Sequence, residues 1–205
     1  MPLPYVLAIT GASGAVYAVR LLECLLRAGQ QVHLTMSPSG AAVFQQELNL
    51  TLDLQHFDPQ LLVADRALHG NIRYHYYQNF LAPIASGSFL TEGMVICPCS
   101  GSTMSGIAHG ASTNLIQRAA DVHLKERRKL VVMPRETPLS AIQLDNMKRV
   151  AEAGAIVLPA MPGWYHGVKT LQDLIDFVVA RILDQLGIEH QLMRRWGQAT
   201  SENEA

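Results

Sequence analysis

Cysteine is sparse in this 205-residue chain: there are three, Cys24, Cys97 and Cys99. The number is odd, Cys97 and Cys99 stand too close to bridge easily, and no CxxC or Cys/His ligand cluster occurs. A disulfide framework is therefore excluded, and reduced, buried thiols are expected. None of the eight histidines has ligand spacing, so no metal site is expected. Charge of one sign is also lacking. Sixteen basic residues against seventeen acidic ones leave a formal −1, so no net field draws the chain toward nucleic acid or an anionic membrane, and any anion must be held by local charge. No uninterrupted apolar run approaches the roughly 20 residues that span a bilayer, and Met1–Tyr5 has no basic segment ahead of an apolar one. The expectation is a cytoplasmic protein. Internal repeats and low-complexity segments are missing too. With 49% hydrophobic residues, the chain is long enough to bury the core of one α/β domain, expected over 1–187, with a polar, partly disordered tail over 188–205, frayed after Trp196.

The stretch that organises the chain is Val6-Leu-Ala-Ile-Thr-Gly-Ala-Ser-Gly-Ala-Val16. An apolar run breaks at glycine and resumes as a helix, with Val19, Leu22 and Leu26 on one face and Arg20, Glu23 and Arg27 on the other. This is a βα turn. Gly11 and Gly14 allow the tight bend, and Thr10 and Ser13 bring hydroxyls to the free N–H groups of a helix starting near Ser13, a place suited to phosphate. The logic recurs. Gln31–Met36 alternates like a strand and ends in Ser37-Pro-Ser39, which caps a helix to about Leu48. Gly93-Met-Val-Ile-Cys-Pro-Cys99 reads as a buried strand ending in Ser100-Gly-Ser-Thr103 and another helix. In a parallel sheet these hydroxyl-bearing turns share one rim, and three together favour a phosphorylated cofactor. The fold class is therefore a three-layer, Rossmann-like (flavodoxin-like) α/β domain with a mostly parallel sheet.

Between these turns, a helix is expected near Pro59–Ala67 and a short strand around Ile72–Tyr76. Gln78–Ser88, rich in small residues around Phe80, suits either a loop over a ligand or a plain surface connection. Ala111-Ser-Thr-Asn114 caps a helix on which Arg118 and Lys125 share a face with Val122 and Leu115. That face is either solvated or presents its cations to a bound anion. Leu130–Pro134 is a further strand, followed at once by Arg135, a phosphate donor in that position, and Glu136, either an acid–base group or half of a surface pair. A helix over about Ser140–Ala153 and a strand over Ala155–Pro159 lead to the turn Met161-Pro-Gly-Trp-Tyr-His-Gly167. In the last helix Arg181 interrupts the stripe Leu171, Leu174, Val178, either as a snorkelling surface residue or as an anion site where subunits meet.

Taken in order, Thr10-Gly-Ala-Ser-Gly14, Ala85-Ser-Gly-Ser88, Met94-Val-Ile-Cys-Pro-Cys-Ser100, Arg118-Ala-Ala-Asp121, Leu124-Lys-Glu-Arg-Arg128, Pro134-Arg-Glu-Thr-Pro138 and Tyr165-His166 resemble the UbiX-type flavin prenyltransferases over nearly the whole chain. The resemblance implies an enzyme, independent of metal, that binds reduced FMN and joins a dimethylallyl group from dimethylallyl phosphate to N5 and C6 of the isoalloxazine. The prenylated FMN would serve a UbiD-type decarboxylase, in ubiquinone biosynthesis or in aromatic acid breakdown, and the family forms homododecamers with sites where subunits meet. By the same resemblance Gly11, Ala12, Ser13, Ser37, Ser100, Gly101, Ser102, Thr103, Arg118 and Arg135 hold the flavin. Lys125, Arg135, Tyr165 and Arg181 hold the prenyl phosphate. Ser13, Glu47, Lys125 and Glu136 take part in catalysis, and Phe80 and Trp164 line the prenyl pocket, Phe80 near a position where relatives carry tryptophan.

Three other readings compete. An FMN-dependent peptidyl-cysteine decarboxylase is suggested by Ala111–Asn114, but its reaction has no second phosphate for Lys125, Arg135 and Arg181. A non-catalytic FMN carrier is separated from an enzyme only by turnover. A short-chain dehydrogenase is suggested by Thr10-Gly11 and the YxxxK spacing of Tyr165 to Lys169, yet Ala15 stands where that class needs glycine, and Gly163 and Gly167 disfavour a helix around Tyr165.

Overall fold

Tyr5–Ile9 (β1), buried at every position, is the strand from which the sheet grows to both sides. The structure is a computed structural model and describes residues 2–197. The elements that follow are α1 (Ala15–Arg27), β2 (Val32–Met36), α2 (Pro38–Leu48), β3 (Ile72–Tyr76), β4 (Gly93–Cys99), α3 (Gly101–Ala108), α4 (Leu115–Lys125), β5 (Lys129–Pro134), α5 (Ala141–Glu152), β6 (Ile156–Val157) and α6 (Leu171–Leu186). The six strands lie in the order β3-β2-β1-β4-β5-β6, and every pairing is parallel. The expected mostly parallel sheet is thus wholly parallel among the described residues.

Parallel strands are covered on both faces, so they read as continuous apolar runs. One face carries Val6, Ala8, Met94, Ile96, Leu130 and Val132, packed with Met104 and Ile107 of α3, Leu115, Ile116 and Ala119 of α4, and Val150 of α5. Leu7, Ile9 and Val95 alternate with these, are equally buried and face the other way, the side on which α1 contacts β2 and β4. The order of strands reverses between β1 and β4. A crevice therefore opens beyond their carboxyl ends, the position at which open α/β sheets take ligands.

Two segments differ from the sequence expectation. The helix near Pro59–Ala67 is replaced by two short 3₁₀ turns, Pro59–Leu61 and Arg66–Asn71. Asp58 accepts from the Gln60 N–H at 2.9 Å and Asp65 from the Ala67 N–H at 3.1 Å, local bonds that compete with a continuous helix. The last strand shrinks to Ile156–Val157. Leu158 and Ala160 still donate to Val132 O and Pro134 O at 2.8 and 3.1 Å.

The chain forms two compact units, Met1–Ala160 and Met161–Ala205. In the second, α6 begins with a capping box between Thr170 and Asp173 and ends at Gly187, whose φ of 75° closes the helix in the left-handed conformation. Residues 188–197 follow without helix or strand, bending at 192–193 and turning at 196–197. The expectation of a frayed end after Trp196 concerns, beyond Gly197, residues outside the described ones.

Candidate active site

Four turns meet at the carboxyl ends of the central strands. Thr10 ties the first to the third: its hydroxyl donates to Pro98 O at 2.8 Å and accepts from the Ser100 N–H at 2.8 Å. The second is joined by the Ser37 N–H, which donates to Ile9 O at 3.0 Å, and by the absence of a side chain at Gly11, where a Cβ would lie 2.3 Å from Ser39 Cβ. The fourth is joined by Arg135, whose Nε donates to Ser13 O at 3.1 Å. Ser13, Ser37, Ser100 and Arg135, expected on one rim, therefore do share it.

At the start of α1 the structure corrects the simplest expectation. The free N–H groups there do not wait for a phosphate, because the Glu47 carboxylate takes them: Gly14 N donates to Oε2 at 2.9 Å and Ala15 N at 2.8 Å. Burial alone would raise the Glu47 pKa, but hydrogen bonds from the Ser13 hydroxyl, Gly14 and Ala15, together with the charge of Arg135, outweigh it and hold the carboxyl below its usual range. A carboxylate at a helix N-terminus is itself the stable arrangement. Glu47 is 33 residues from Gly14 in the chain, so no local pattern announces the contact.

The other two helix starts keep more of their donors. Ser37 caps α2 by accepting from Gly40 N at 3.1 Å. Ser100 caps α3 by accepting from Thr103 N at 3.3 Å, and it also bonds the Thr103 hydroxyl at 3.0 Å and the Ser102 hydroxyl at 3.2 Å. Ala12 is buried against the turn, its N–H bonded to Thr10 O at 2.9 Å. Gly101, Glu136, Cys99, Gln143 and Asn146 line a small cavity beside this rim, and Glu136 Oε1 accepts from the Thr137 N–H at 3.1 Å. Asn146 carries no signal in the sequence beyond its place on α5, and Gln143 is marked only by the Ser140-x-x-Gln143 capping box that starts the helix. Cys97 and Cys99 are buried free thiols; burial raises both, Cys99 to about 12, which keeps them protonated and inert.

The remaining expected residues are not all brought to this rim. Arg118 on α4 turns to the 82–89 loop, with Nε donating to Ala85 O at 3.0 Å and NH1 pairing with Asp121 at 3.0 Å. Lys125 ends α4 and pairs with Glu126. It stands beside Gly87 and shares an open basic cavity with Arg127, Arg128 and Lys129. Lys129 opens β5 and Pro134 closes it, so Lys125 and Arg135 belong to opposite ends of a strand about 17 Å long at the usual rise per residue. They do not meet within one chain. Phe80, 47% exposed, and Trp164, 70% exposed, form no closed apolar pocket by themselves. Tyr165 and Arg181 lie in the second unit, where Arg181 NH1 pairs with Asp184 Oδ2 at 2.7 Å. Among the described residues no group of three or more His, Cys, Asp or Glu is arranged to hold a metal.

The donor set suits a flavin mononucleotide: hydroxyls of Ser37, Ser100 and Ser102, the first-turn N–H groups of α2 and α3, and the Arg135 guanidinium match a phosphate monoester beside a planar ring. The comparisons with known proteins agree. The Flavoprotein family model matches residues 2–183. The flavin prenyltransferase UbiX of Alkalihalophilus pseudofirmus is 53% identical over 93% of this chain and 94% of its own, and that of Halalkalibacterium halodurans is 50% identical over 95% and 93%. Among solved structures, AnUbiX (PadA1) in complex with FMN and dimethylallyl pyrophosphate superposes with a TM-score of 0.85 at 36% identity, over 98% of this chain and all (100%) of that one. With a stitched crevice of this kind and relatives matched over more than nine-tenths of their length, the chain belongs to the flavin prenyltransferase UbiX family.

Proposed function

We propose that this protein transfers a dimethylallyl group from dimethylallyl phosphate to reduced FMN. The observation that carries the reading is the joining of the Thr10–Gly14, Ser37–Gly40, Pro98–Thr103 and Arg135 turns into one anion-binding rim. When bound, the reduced isoalloxazine supplies the nucleophilic N5 and C6 to which the five-carbon group is joined. The chain does the rest. Gly11, Ala12, Ser13, Ser37 and the Ser100–Thr103 turn hold and orient the flavin with Arg135. The leaving phosphate gains negative charge as its C–O bond breaks, and Lys125, Arg135, Arg181 and the Tyr165 hydroxyl stabilise that charge without a metal. The allylic fragment turns cationic, and Phe80 and Trp164 wall it off from water. Glu136, or the retained phosphate assisted by Ser13, accepts the proton lost from C6, while Glu47 fixes the Ser13 turn.

The separation of Lys125 from Arg135 along β5 supports a site completed by neighbouring copies, and the related UbiX-like decarboxylase of Escherichia coli O157:H7 is a dodecamer. We assign this chain the same assembly, a cytoplasmic location, and a UbiD-type decarboxylase as recipient of the prenylated FMN. The peptidyl-cysteine decarboxylase reading leaves the phosphate cations without work.

The test is anaerobic incubation with reduced FMN and dimethylallyl phosphate, followed by mass measurement of the extracted flavin. A gain of one C5 unit, lost in Lys125→Ala and Arg181→Ala, is the expected result. Unchanged, tightly held FMN would return the carrier or decarboxylase reading.

A further inference from the structure

Tyr165 and Arg181 lie in the unit Met161–Ala205, and one carboxylate organises the surroundings of both. Asp184 Oδ2 accepts from Arg181 NH1 at 2.7 Å, and Oδ1 accepts from Arg195 NH2 at 2.8 Å and His190 Nε2 at 3.1 Å. The Leu192 N–H donates to His190 Nδ1 at 3.4 Å. With Nδ1 accepting that bond, Nε2 is the ring atom that donates to Asp184. The His190 side chain is 4% exposed and that of Asp184 15%, whereas the side chains of Arg181 and Arg195 are 43% and 48% exposed. The carboxylate is the sheltered member, and it presents two cations outward. Burial alone would raise its pKa, but Arg195 and His190 hold it below the usual range.

The same carboxylate reaches Tyr165 through the chain it anchors. With His190 and Arg195 fastened, Trp196 lies edge-on to Tyr165 at 5.2 Å between ring centroids, and Phe177 meets the same ring at 5.8 Å. Phe177, Arg181 and Asp184 follow one face of α6 at i, i+4 and i+7. Gly163 lets the preceding turn close on that face, since a Cβ there would stand 2.9 Å from the Phe177 ring. An arginine that must meet a small anion loses rotamer freedom on binding, and a fixed carboxylate removes that loss in advance.

We propose that Asp184 is the positioning residue of the prenyl-phosphate site, setting Arg181 directly and Tyr165 through the anchored segment 188–197. The inference rests on the prenyltransferase reading and adds to it a residue that touches neither substrate. Its test is calorimetric titration of dimethylallyl phosphate into the assembled protein loaded with oxidised FMN, where no turnover occurs. Asp184→Asn weakens the phosphate by about tenfold, the loss of one well-placed charge-assisted contact, and leaves FMN affinity within about twofold. Added to Arg181→Ala, it weakens the phosphate by less than it does alone, because its effect through Arg181 is already gone and only the effect through Tyr165 is left. Multiplying effects in the double variant, wild-type phosphate affinity in Asp184→Asn, or joint loss of FMN and phosphate would each overturn the positioning role. Failure of the wild type to bind dimethylallyl phosphate would instead overturn the reading beneath it.

Discussion

Glu136 and Glu47 are both acidic residues of the crevice, yet their surroundings give them different work. Glu47 is fixed by two backbone N–H groups and kept ionised, which suits an anchor. Glu136 holds one backbone N–H, of Thr137, and lines a cavity, which suits a group that takes up a proton. Glu136→Gln should therefore slow formation of the final prenylated flavin by about 100-fold or more, the usual range for a general base, while phosphate release from dimethylallyl phosphate continues. The check is to follow phosphate and extracted flavin in one reaction; parallel loss of both would assign Glu136 to binding. At this scale the hydroxyls were legible, since Ser13, Ser37 and Ser100 each follow a strand pattern directly. Glu47 came only from family likeness, and the Asp184 node from neither source: Gly14 to Glu47 and Asp184 to Arg195 are tertiary contacts, and periodicity carries no trace of them.

Among the elements, β2 and α4 each bury a histidine that stays neutral in the fold. His123 on α4 donates from Nδ1 to Ala119 O at 2.7 Å and accepts at Nε2 from the Thr91 hydroxyl at 2.8 Å. His33 on β2 shares a hydrogen bond of 2.8 Å with His75 on β3. Burial, joined by the charge of Arg128 for His123 and by His75 and Arg73 for His33, lowers each from 6.5 to about 4. Below pH 6.5 the unfolded chain takes up protons that the fold refuses, so stability is full above that pH and lost as pH falls toward 4. The loss at completion is about 3 kcal/mol for His123. Denaturant unfolding from pH 7 down to 4.5 measures it, and His123→Gln should flatten the slope; a flat wild-type profile would contradict the burial argument. The strands and their helices were legible because apolar runs, glycine turns and capping hydroxyls agree from β1 to β5. The 49–71 region was not, since its turns are held by aspartate side chains rather than by a periodic apolar face.

At the scale of the whole molecule, the cations proposed to hold the prenyl phosphate are divided. Lys125 and Arg135 sit at opposite ends of β5, so a site using both draws them from different chains. Lys125→Ala and Arg135→Ala proteins should each be inactive alone. Co-assembled in equal amounts, they should recover roughly a quarter of wild-type activity, since random mixing restores one site in four. No recovery in verified mixed oligomers would place both cations in one chain. Exposed apolar side chains, among them Leu81 at 95% and Ile142 at 74%, leave surface for such partners to cover. The sequence showed these cations without showing their separation, which depends on the direction in which β5 runs through the sheet. One consequence reaches back to synthesis. On the proposed shared site, a newly made chain would emerge with an FMN crevice but half of its phosphate grip, so it would take up flavin before it could spend prenyl donor, and catalysis would start only when the last neighbour arrives.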